Sequence, residues 1–211
     1  MIEIILLVSS ILFIFALKLF GRPSTAHRAN TFAMLAMALA VFSAFNFDFS
    51  KYDSAFYITI VVSGLLGVLI SKRVQMTQMP ELVGLFNGFG GGASGAIAYV
   101  ELSGSSLPIS VVFVAIFSMG IGMFTFSGSF VAVMKLRGKL NNFNKKLADI
   151  FSVFFPIILV IPAVLEMDDL LMEFIILVAI ISGVIRVAVI GGADMPVVIA
   201  FLNSLSGIAA M

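Results

Sequence analysis

The chain has no cysteine, a single histidine and few charges. Without cysteine there is neither a disulfide framework nor a thiolate metal site. The lone His27 excludes a centre built from several histidines of this chain, so no metal is expected. Charged residues make up 11% of the 211 and hydrophobic ones 61%. Soluble domains carry about 25% charged residues, because their surface faces water. A soluble fold of this length cannot hide so much apolar area, and lipid removes the need to hide it. Twelve Lys and Arg against eleven Asp and Glu leave a net charge of +1. The basic residues are few and sit in short loops, which points away from a nucleic-acid partner.

The apolar residues fall into runs. A helix crossing the hydrocarbon layer, about 30 Å thick, needs roughly 20 mostly apolar residues. Runs 2–20, 31–47, 54–71, 81–101, 109–134, 148–165, 170–189 and 196–211 come close to this, with polar or charged stretches between them. Backbone polar groups must be paired inside lipid, and the alternation of barrel strands is absent, so the runs are read as helices. The expected fold is all-α: one polytopic transmembrane bundle of about eight helices over residues 1–211. The first run contains Glu3, has no basic leader and is followed by no small-residue cleavage site, so it is read as a retained helix.

Lys and Arg set the orientation. Alternate loops hold Lys18, Arg22, Arg28, Lys72, Arg73, Lys135, Arg137, Lys139, Lys145, Lys146 and Arg186. The opposite loops hold Lys51 alone, with Asp48, Asp53, Glu101, Glu166, Asp168 and Asp169. The first set is expected on the cytoplasmic side and the N-terminus outside. The last run stops at Met211 with no polar flank, and a fragment of a longer chain is expected.

Three runs carry polar or small residues at depth. In the fourth, Gly84, Gly88 and Gly92 recur every four residues and form a smooth face for a neighbouring helix. That face serves tight packing, or a helix that also flexes or admits water. Asn87 sits at its edge, about 9 Å along the helix from Glu81, and a carboxamide there needs a hydrogen-bond partner. In the eighth, Asp194 precedes Pro196, an acid cap followed by a residue that needs no N–H. Asn203 lies about 13 Å further in, where a polar side chain is expected to face protein or water; Ser206 and Gly207 share its face. In the fifth, the hydroxyls of Thr125, Ser127 and Ser129 are expected to return hydrogen bonds to their own helix. His27 is read as a loop or headgroup contact and Arg186 as a snorkelling side chain. Gly88–Gly92 lies within an apolar run and is rejected as a nucleotide loop.

Met79–Val100 (MPELVGLFNGFGGGASGAIAYV), Phe124–Lys135 (FTFSGSFVAVMK) and Gly191–Ala210 (GGADMPVVIAFLNSLSGIAA) together resemble the membrane domain of the proton-translocating NAD(P) transhydrogenase β subunit. GGADMPVV followed by LNS is the most specific part, and Thr25–Ala40 also fits. The resemblance implies a proton-translocating membrane domain. In this family it is coupled to hydride transfer from NADH to NADP⁺, with NAD(H) and NADP(H) held on separate soluble domains. It further implies partner α subunits and an NADP(H)-binding domain, a homodimeric complex, and the cell inner membrane. Asn87, Ser129 and Asn203 match proton-path positions; some members have a relay histidine where Asn87 stands, and in the others a helix elsewhere supplies it. Asp194 matches a polar position of the path or its coupling. Glu81 and Asp194, both at inner helix ends, are expected to form a coupling surface under the NADP(H) domain. No catalytic residue and no cofactor site are expected in this chain, and the ninth helix and NADP(H) domain of the family are expected beyond it.

Two other readings are weighed against this. A stand-alone secondary transporter would show paired halves with interrupted helices, and no earlier segment matches GGADMP. A purely structural membrane subunit has no need of Asn87 and Asn203 at depth.

Overall fold

The computed structural model describes residues 2–44, 52–104, 107–140, 145–160 and 169–210. Among the described residues all regular structure is helical, with eight α-helices: α1 (Ile2–Phe20), α2 (Ala26–Ala44), α3 (Ser54–Arg73), α4 (Met79–Gly104), α5 (Ile109–Leu136), α6 (Lys145–Val160), α7 (Asp169–Ala188) and α8 (Met195–Ala209). Each coincides with one expected run. The boundaries differ most at α2, which starts at Ala26 because its first turns are helical before they are apolar. Four helices, α1, α3, α5 and α7, and the segment Gly192–Ala209 containing α8 are long and apolar enough to cross a membrane. At 26 residues α4 is longer than most of these, and its glycines dilute its apolar character. The opposite-side loop charges Asp48, Lys51, Glu166 and Asp168 lie outside the described residues.

The chain divides into two compact units, Met1–Lys72 and Arg73–Met211. In the first, α1 and α2 pack as a hairpin. Ser9 donates across it to the Ala36 carbonyl at 2.7 Å, and Ala16, Ala29 and Ala36 fill the seam. Thr25 closes the turn by donating to the Leu19 carbonyl at 2.6 Å, satisfying an end group of α1. No residue of α3 is buried, as an apolar helix in lipid requires no protein cover.

In the second unit α5 is the central helix, packed against α4, α7 and α8, with α6 on α7. Apolar clusters fill both ends: Val131, Ala132, Val187, Met195, Ile199 and Leu202 at one, Ile116, Met119, Leu159, Met172 and Ile175 at the other. Between them α4 and α5 meet backbone to backbone. A Cβ built on Gly122 would lie 2.6 Å from the Gly91 carbonyl oxygen and 2.7 Å from the Gly95 nitrogen. The buried stripe of α4 is Gly84, Asn87, Gly88, Gly91, Gly95 and Ala98. Gly92, expected within it, stands at its edge against the Phe126 ring. A strict four-residue step drifts off a 3.6-residue helix, so the stripe passes to Gly91.

Candidate functional site

Three helices bring a polar junction into the apolar second unit. Asn87 on α4 is 7% exposed. Its side-chain NH₂ donates to Ser129 Oγ on α5 at 2.9 Å, and its carbonyl oxygen accepts from Ser206 Oγ on α8 at 3.2 Å. Gly88, one residue on, lets α5 approach so closely that a Cβ there would lie 3.2 Å from Ser129 Cβ. The small stripe and the carboxamide are thus one device: the glycines close the gap, and the amide then reaches two partners. Unpaired in hydrocarbon, that amide would be costly.

The junction continues along α5. Ser118, Gly122, Thr125 and Ser129 recur at helical spacing on one face. Thr125 is fully buried beside Gly91, and its hydroxyl has no hydrogen-bond partner among the described residues. Ser118 donates to the Ala209 carbonyl near the end of α8. Ser129 was expected to bond its own helix, and instead it accepts from Asn87; Ser127 does bond its own helix, to the Phe124 carbonyl at 3.1 Å. A carboxamide and the four hydroxyls of Ser118, Thr125, Ser129 and Ser206 carry no group that ionises near neutral pH, but each can donate and accept. Such a line can order water and pass hydrogen bonds along, and it cannot store a proton.

Asn203 is exposed on the surface of the chain, and Ser206, three residues on, takes the inward position. The sequence placed both on one face; the helix turns that face so that only its Ser206 edge meets α4.

At one end of the unit α5 ties down the starts of α4 and α8. Arg137 Nε pairs with Glu81 Oε2 at 2.6 Å. Lys135, 5% exposed, donates to the Ile190 carbonyl at 2.7 Å, just before the turn into α8. These contacts place the starts of α4 and α8 and the ends of α5 and α7 at the same end of the second unit. Asp194 does not cap α8. It follows a 3₁₀ turn, Gly192–Asp194, with φ −90° and ψ −2°, makes no side-chain cap bond, and is exposed. A cap needs extended backbone at that residue, which this turn does not supply. Pro196 stands in the first turn of α8, as expected. His27 lies in the first turn of α2, within the first unit. Among the described residues no cluster of His, Cys, Asp or Glu has the makings of a metal site.

Sequence reasoning missed Lys135, Arg137 and Ser206 as structural partners. Lys135 was counted only as a loop charge, yet α5 runs past it to Leu136. Lys135→Met keeps the aliphatic stem and removes the donor. A hydrogen bond from a charged group is worth about 1.5–3 kcal/mol. The turn into α8 should therefore open more often, with amide exchange at 192–195 faster by about tenfold or more. Unchanged exchange there would show the bond to be idle. The Arg137–Glu81 pair is partly exposed, with side chains 46% and 19% accessible. Arg137→Gln is expected to change stability by about 1 kcal/mol or less, checked by thermal melting of the same preparation.

A family model described as NAD(P) transhydrogenase beta subunit matches residues 2–211. Two curated relatives from Rhodospirillum rubrum, one of them from a designated strain, both bear the name NAD(P) transhydrogenase subunit beta. Each is 32% identical over 227 residues, covering 97% of this chain and 47% of the relative. The chain spans about half the length of the curated relatives it matches.

Proposed function

The chain belongs to the NAD(P) transhydrogenase beta subunit family, and from that premise we propose that it forms the membrane-spanning, proton-conducting part of a transhydrogenase. In this reading protons move inward through the second unit as hydride passes from NADH to NADP⁺ on other domains or subunits. The observation that carries it is the junction of Asn87, Ser129 and Ser206, a polar contact that joins three helices inside a mostly apolar bundle. Such a contact also serves as glue between membrane helices; what favours a path is that the hydroxyl-bearing face of α5 continues from it to the buried Thr125, unpartnered among the described residues.

The roles divide by chemistry. Asn87 and Ser129 orient the hydrogen-bonded path. The titrating group is supplied by a helix outside these residues, and Asn203 marks the side on which that helix sits, since an exposed carboxamide at depth needs a partner. Glu81 and Asp194, at the end tied by Arg137 and Lys135, form the coupling surface for an NADP(H)-binding domain. Nucleotides, α subunits, a homodimeric assembly and residence in the cell inner membrane belong to the same proposal. The test uses the assembled complex containing this chain, sealed into vesicles with a pH-sensitive dye. Addition of NADH and NADP⁺ should produce proton movement in step with NADPH formation, collapsed by an uncoupler. NADPH formation with no proton movement in tight vesicles would refute the reading.

A further inference from the structure

On the opposite side of α8 from Asn203 lies a cleft of about 510 Å³ between α5, α6, α7 and α8. Its walls are apolar, with Phe124, Phe155, Val187, Phe201 and Leu205 among them, and its single charged lining residue is Arg186. Phe124 and Phe155 stack at 5.2 Å between ring centroids, joining the α5 and α6 walls. We propose that this cleft binds one anionic phospholipid of the inner leaflet, its acyl chain in the groove and its phosphate on Arg186.

Charge, depth and size each support that occupant. Arg186 is exposed, in the last turn of α7, and makes no ion pair with the described residues. The distribution of Lys and Arg puts that end of α7 on the cytoplasmic side, where anionic lipids collect. A guanidinium matches a phosphate with a fixed pair of donors. The groove runs inward from Arg186 and Ile190 to Leu205. Leu205 lies about 15 Å along α8 from Met195, close to half of a hydrocarbon layer about 30 Å thick. The cleft therefore has the reach of one leaflet and a cation at the headgroup level only. Its volume falls within the roughly 300–1,000 Å³ of ordinary small-molecule sites. Plain snorkelling accounts for an arginine at this depth but not for a groove that begins at it and ends at mid-membrane.

The experiment uses native membranes containing the assembled complex and two photoreactive phospholipids with the same diazirine acyl chain, one phosphatidylglycerol and one phosphatidylcholine. Phosphatidylglycerol should label peptides of α7 and α8 around Val187 and Phe201 at least about fivefold more than phosphatidylcholine. Arg186→Gln should remove that preference and Arg186→Lys should keep most of it, with assembly of both variants checked by size. Equal labelling by the two lipids, unchanged in Arg186→Gln, would reduce the cleft to ordinary lipid-facing surface and overturn the proposal. So would no labelling together with disulfide capture, from a cysteine at Phe201, of another polypeptide segment, which would show that protein fills the groove.

Discussion

Gly122→Ala is expected to remove the folded second unit, while Gly90→Ala, on the facing helix, is expected to leave it intact or slightly more stable. Both changes add one methyl group to a glycine in an apolar helix. At Gly90 nothing lies within 4 Å of the new Cβ. Only the helix propensity then changes, a gain of up to about 1 kcal/mol. At Gly122 the new Cβ would meet the Gly91 carbonyl oxygen at 2.6 Å, the Gly95 nitrogen at 2.7 Å and the Gly95 Cα at 3.0 Å. All three are backbone atoms of α4, so no rotamer change relieves the clash and the helices must part along their length. Association of membrane helices depends on close packing, because lipid supplies no hydrophobic drive between them. Overpacking elsewhere typically costs about 1–3 kcal/mol, and a backbone clash lies at or above the top of that range. The separation also carries α4 away from Ser129, so the hydrogen bond of Asn87 fails with the packing. Thermal melting and size-exclusion behaviour of the two purified variants decide the matter. A Gly122→Ala protein that is monodisperse and melts within a few degrees of the parent would show that the α4–α5 approach is looser than described.

The helices were legible because lipid demands long apolar runs, and such runs need no periodicity to be seen. Asn87 was legible for the same reason: a carboxamide inside an apolar run stands out, and its partners could be expected in kind if not by name. What faces what was less legible. Asn203 and Ser206 lie on one face of α8, and only packing against α4 decides that Ser206 turns inward and Asn203 outward. Gly92 was preferred to Gly91 because a four-residue count is easier to read than the drift of a real helix. Asp194 looked like a cap because Asp before Pro is a strong signal, yet a 3₁₀ turn ahead of α8 set its backbone otherwise. Lys135 was hidden by its own charge. A count of loop cations cannot tell a headgroup contact from a buried donor holding the Ile190 carbonyl.

Asn87→Leu should cut proton-linked transhydrogenation in the assembled enzyme at least about tenfold, the effect of one order being about 1.4 kcal/mol at the barrier. Leucine keeps the branched heavy-atom skeleton of asparagine with bulkier methyl ends, so the packing against α5 is kept in outline and part of any stability cost is steric. What is lost is the amide that donates to Ser129 and accepts from Ser206. Both hydroxyls can turn to carbonyls of their own helices, which limits the stability cost to about 1–2 kcal/mol and leaves assembly intact. The bridge from Ser206 through Asn87 to Ser129 is nonetheless cut where α4, α5 and α8 meet. The control is Ser94→Ala on the same helix, whose hydroxyl donates to its own helix, to the Gly90 carbonyl at 3.2 Å. That variant should keep the parent rate. The measurement is NADPH formation in sealed vesicles with and without an imposed pH gradient, at matched amounts of assembled complex. The parent and Ser94→Ala should respond to the gradient, and Asn87→Leu should lose the response along with the rate. If Asn87→Leu kept both, the junction would be a packing contact of the bundle, and the proton path would have to run along another face of α5 or α8.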